Sequence, residues 1–108
     1  MSAGRLAARV RAGITLLDIE RGPEWVWKVR VGFLDMASCS ACVLGQLYGD
    51  FEQGADTIGL TFWSEVGHGL NAEEDRYGDF AALDRLWTYA IRRLREQRTP
   101  PRVSAVAS

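Results

Sequence analysis

CSACVLGQLYGD, residues 39 to 50, decides how this chain is read. Two cysteines sit three apart, and the chain has no others. Val43, Leu47 and Phe51 follow at helical spacing, so the stretch predicts a helix from about Cys39 to Glu52 with Ser38 or Ser40 as its cap. Gly45 and Gly49 interrupt it, four apart on another face. Each glycine inside a helix costs about 1 kcal/mol relative to alanine. Two reasons would justify them: close approach of another backbone, or a helix that ends near Gly49 or Gly54.

Three chemistries compete for the same residues. Cys39 and Cys42 form the usual half of a zinc site, but a structural zinc ion takes four ligands. His68 is the one further obvious ligand, so a site within one chain also needs a carboxylate; two chains could instead share four cysteines. A dithiol at a helix N-terminus has redox geometry, but the strand–helix–strand pattern that supports it elsewhere is missing. The simplest reading makes Cys39 and Cys42 small buried hydrophobes in a packing motif with Gly45, Gln46 and Gly49. That reading carries no cofactor.

Outward from this block the pattern is helical. Leu6, Val10, Ile14 and Leu17 predict an amphipathic helix from about Ala3 to Ile19, ended by Gly22-Pro23. PEWVWKVRV, residues 23–31, fits both a strand and a short helix; a short helix that turns extended around residues 27–31 is expected. TFWSEVGHG predicts one or two helical turns started by Thr61 and stopped by Gly67, with His68 in the loop beyond. Asn71 and Glu74 have the spacing of a capping box, and Glu73, Glu74 and Asp75 read as a solvated helix start. Phe80, Leu83, Trp87, Ile91 and Leu94 give the clearest helix, about Asp79 to Gln97, with acids early and arginines late as the macrodipole favours.

Composition agrees with one small domain. The chain has 108 residues, 47% of them hydrophobic and 25% charged, enough for a single modest core. The fold expected is mainly α, a single domain over residues 1–98 of three to four packed helices, with a flexible tail over 99–108. A disulfide across three residues would add little stability, and no apolar run approaches the length that spans a bilayer. A soluble, cytoplasmic, reduced protein without a membrane partner is expected.

Charge is segregated: +3 over residues 1–30, −9 over 31–84 and +5 over 85–108. Arg5, Arg9, Arg92, Arg93 and Arg95 could make a basic patch for nucleic acid. The acidic middle and the lack of a reader motif rank that partner last. No nucleophile, histidine and acid assemble into a catalytic set, and no phosphate-binding glycine loop occurs. Four tryptophans are many for so short a chain. Trp87 belongs to the core; Trp25, Trp27 and Trp63 are the candidates for a partner surface, above all one exposed beside Tyr48 or Phe62.

The sequence also resembles a known group. LLD before a Gly-Pro-x-Trp break, LDMASCSACVLGQLYGDF, GHGL and LDRLWTYAIRRL together resemble a family of small proteins from actinobacteria and their bacteriophages, most specifically in the Cys-x-x-Cys-Val-Leu-Gly-Gln block. The resemblance spans roughly residues 14 to 95. It implies a cytoplasmic protein, phage-encoded or actinobacterial, acting inside a mycobacterial or related host, and brings no established activity and no catalytic residue. The functional expectation is therefore a non-enzymatic accessory protein that binds another protein, such as a host factor, with self-association into a homodimer allowed. A zinc- or thiol-dependent protein using Cys39 and Cys42 is the alternative, and nucleic-acid binding the third.

Overall fold

The computed structural model describes residues 3–72 and 79–100. Glu73, Glu74, Asp75 and the tail beyond Pro100 lie outside the described residues, and with them the capping reading of Asn71 and Glu74. Among the described residues, five α-helices and two 3₁₀ turns make a mainly α domain, and no strand occurs.

α1, Ala3–Arg21, buries Leu6, Val10, Gly13 and Leu17, while Ile14 is only half-buried. It stops at Gly22, whose φ of 82° lies in the left-handed region that glycine tolerates. Pro23 then opens a 3₁₀ turn, Pro23–Trp27, and a second follows at Val31–Phe33. The extended segment expected at residues 27–31 is reduced to the neighbourhood of Arg30, which has φ −89° and ψ 100°. The reason is packing: Trp25, Val26 and Val29 are all buried, which strict alternation in a strand would forbid.

The helix predicted over residues 39–52 is two helices. Residues 36–42 run through turns and a bend, α2 runs Val43–Tyr48, and α3 runs Phe51–Thr57. Neither Ser38 nor Ser40 is the cap. Cys42 takes that place, its sulfur accepting the Gly45 N–H at 3.2 Å. Gly49 ends α2 with φ 104°, and Asp50 caps α3 by accepting the Gln53 N–H at 2.8 Å. α2 packs chiefly on α3. α4, Phe62–Gly67, starts at Thr61, which shares a capping box with Ser64.

α5, Asp79–Gln97, lies along α1 and the first 3₁₀ turn, burying Leu83, Trp87 and Ile91. Two arginines fasten that turn to it. Arg95 donates Nε to the Val26 carbonyl at 2.7 Å and also donates to the Val29 carbonyl. Arg98 forms a two-pronged pair with Asp18, at 3.0 and 2.9 Å, and donates to the Pro23 carbonyl. The same Asp18 accepts the Trp25 indole N–H at 2.8 Å. Bidentate, partly shielded pairs of this kind hold orientation better than exposed ones do.

The two long helices meet over a shared corner. Trp87 donates its indole N–H to the Gly69 carbonyl at 2.7 Å and stands edge-on to Trp25, centroids 6.1 Å apart. Gly13 sits beneath: a β-carbon there would fall 2.2 Å from the His68 carbonyl oxygen and 2.9 Å from the Trp87 ring. The loop after α4 therefore passes over α1 where α1 has no side chain.

Candidate functional site

The Cys39–Asp50 block is built from inside. The Cys39 carbonyl accepts the Phe51 N–H at 2.7 Å, which joins the start of the block to the start of α3. A β-carbon at Gly45 would lie 2.3 Å from that same carbonyl oxygen and 2.7 Å from the Ser40 carbonyl carbon. Close backbone approach accounts for Gly45, and the helix end for Gly49. Gln46 acts at a distance. Its amide oxygen accepts the Arg30 N–H at 2.6 Å, and its amide nitrogen donates to the carbonyls of Arg30 and Ala41 at 3.2 and 3.0 Å. One side chain thereby satisfies both backbone groups of Arg30 and ties that segment to the block. Asp84 of α5 makes the matching anchor on the other side, accepting the Met36 N–H at 2.6 Å. Loss of solvent raises the Asp84 carboxyl, with the Met36 hydrogen bond opposing.

The two cysteines are not equivalent. Cys42 is 1% exposed and Cys39 is exposed. The expectation of two buried cysteines on a helix face is corrected: Cys39 lies in a turn and takes part through its carbonyl. Its side chain borders a small cleft of about 190 Å³ with Met36, Phe51, Leu70 and Phe80. Burial pushes the Cys42 thiol up, with the Gly45 N–H pulling it back in part. A raised thiol holds less thiolate, the form that attacks and that binds metal. Brief treatment of the native protein with iodoacetamide at mildly alkaline pH should therefore label Cys39 and spare Cys42 until denaturant is added, as read by peptide mass spectrometry. Equal labelling of both in the native state would contradict this placement.

His68 follows α4, half-buried, its Nδ1 2.6 Å from the Ser64 carbonyl. Since a carbonyl only accepts, Nδ1 carries the proton. Among the described residues no three of His, Cys, Asp and Glu come together as a metal-holding group. No described helix is long and apolar enough to cross a membrane.

The tryptophans divide. Trp25 is 1% exposed and leaves the set of surface candidates. Trp27 is half-buried beneath the Arg95 guanidinium, 5.6 Å from its ring centroid. Trp63 is 66% exposed and stands edge-on to Phe62, itself 41% exposed, at 5.0 Å between centroids. Both lie on the first turn of α4, whose Val66 faces the interior. Arg95, one of the arginines of the expected nucleic-acid patch, is committed to the carbonyls of Val26 and Val29. Sequence reasoning missed the Asp18–Arg98 anchor, because partners eighty residues apart leave no local signal.

Comparison with protein-family models, with curated proteins and with solved structures finds no match to the chain in any of the three.

Proposed function

We propose that this protein is a non-enzymatic accessory factor that binds another protein through the aromatic pair on α4. One observation carries the reading: Phe62 and Trp63 are large, adjacent and both exposed, on a helix whose other side is anchored in the domain. Large aromatics are the side chains on which binding energy concentrates at interfaces. The Thr61–Ser64 capping box fixes the start of the helix that carries the pair. The partner in this proposal is a host protein.

The Cys39–Asp50 block has an architectural role in this reading. It positions Arg30, Met36 and α3, and no cofactor is needed for that. The zinc or thiol alternative would draw on Cys39 alone as an accessible thiol, because Cys42 is buried and occupied as a cap.

The test is capture from host lysate with wild-type protein and with the Phe62→Ala/Trp63→Ala variant, followed by affinity measurement on whatever only the wild type retains. Loss of roughly 30-fold or more in affinity, at unchanged helical content, is expected of a hot spot. Equal retention by both proteins would remove the α4 pair from the binding surface.

A further inference from the structure

The outward face of α5 carries mixed charge around a central aromatic ring. Arg85, Tyr89, Arg92 and Glu96 follow at steps of four, three and four residues, and all are exposed, Tyr89 by 66%. Such spacing makes one continuous stripe along a helix. Between these side chains runs a shallow groove of about 480 Å³, lined among the described residues by α5 alone. The opposite side of the helix is taken up by the core, α1 and the first 3₁₀ turn. Glu96 makes a loose, exposed pair with Arg93 at 3.6 Å, which leaves its carboxylate accessible to a second cation.

We propose that this stripe is a self-complementary interface on which a second copy of the chain docks, α5 antiparallel to α5. A two-fold axis passing between residues 90 and 91 sets Arg85 of each copy opposite Glu96 of the other. The same axis sets Tyr89 of each opposite Arg92 of the other, a guanidinium over an aromatic face. Every charge and ring in the stripe then meets its complement, as an isologous contact requires. An all-acidic occupant, whether phosphate backbone or acidic peptide, fits less well, because Glu96 and Asp84 border the same groove. A single helix face covers less than the roughly 1,200–2,000 Å² of a standard stable interface. The dimer is therefore weak and concentration-dependent.

The test is sedimentation velocity on the full chain from micromolar to millimolar concentration, at low and high salt. A reversible monomer–dimer equilibrium that weakens with salt is expected. Arg85→Glu and Glu96→Arg should each raise the dimer dissociation constant about tenfold or more by placing like charges together. The double variant Arg85→Glu/Glu96→Arg should recover to within about threefold of wild type, since the pair is only reversed. Circular dichroism confirms that these exposed positions leave the fold intact. A chain that stays monomeric throughout overturns the proposal. So does a dimer indifferent to the single reversals, including one lost instead on Phe62→Ser/Trp63→Ser, and so does a double variant no tighter than the singles.

Discussion

Alanine in place of Gly45 is expected to destabilise the protein by roughly 2–4 kcal/mol, the upper range for one added methyl group. The added carbon would sit 2.3 Å from the Cys39 carbonyl oxygen and within 2.8 Å of Ser40. These are backbone atoms, so no rotamer change relieves the overlap. The Cys39 carbonyl is itself held by the Phe51 N–H, and moving it away from α2 disturbs the start of α3. Helix propensity acts the other way by about 1 kcal/mol, because alanine is the better helix former. The steric cost wins, since interiors are packed too densely to absorb a 1 Å overlap. Gly13→Ala should behave alike, with the His68 carbonyl in the place of Cys39. Chemical denaturation checks both: an unchanged or higher midpoint would show that the two backbones are further apart than described.

The second large effect is expected at Trp87. Truncation to alanine removes a fully buried indole from between α1, Trp25 and the loop after α4. A buried tryptophan cut to alanine costs about 3–5 kcal/mol. The Gly69 carbonyl also loses its donor, worth about 1–3 kcal/mol if it stays buried. Against a typical total stability of about 5–15 kcal/mol, the variant should be largely unfolded or close to it. Trp87→Phe separates the two contributions, keeping an aromatic ring and losing the N–H. It should fold and melt below wild type, with circular dichroism as the readout. A Trp87→Ala protein that melts like wild type would contradict the corner as described.

The sequence made some of this visible and hid the rest for identifiable reasons. α5 was legible to its last residue because its apolar period runs unbroken from Phe80 to Leu94 and its ends carry matching charges. α4 was legible through Thr61 and the glycine that stops it. The Cys39–Glu52 segment was not, because an apolar period passes straight through Gly49 while the chain bends there. The bend is encoded by a positive φ and by Asp50 capping Gln53, signals that a continuous hydrophobic line overrides on paper. A cysteine sulfur as helix cap is also absent from the usual repertoire of serine, threonine, aspartate and asparagine. Among the candidate site residues, the spacing of Trp25 and Trp27 gave no means to tell them apart. What separates them is nonlocal: Asp18 and Trp87 enclose one, and Arg95 half-covers the other.

Gln46 shows the intermediate case. It stood out in the sequence as a polar residue inside an apolar run, yet its partner Arg30 lies sixteen residues away. The anomaly was readable and its purpose was not. The same holds for Gly45, where the alternatives of close approach and helix end were both available, and each glycine of the pair took one.

Backbone packing holds Cys39 to Asp50, and the exposed thiol of Cys39 is dispensable to the fold. The thermal melt of Cys39→Ala beside Gly45→Ala, each with and without chelator, measures this most directly. Cys39→Ala should melt with wild type, Gly45→Ala should melt well below both, and chelator should move none of them. A Cys39→Ala protein that melts as low as Gly45→Ala, together with a wild type that drops to the same level on chelation, would make the block a metal site and not a packing motif.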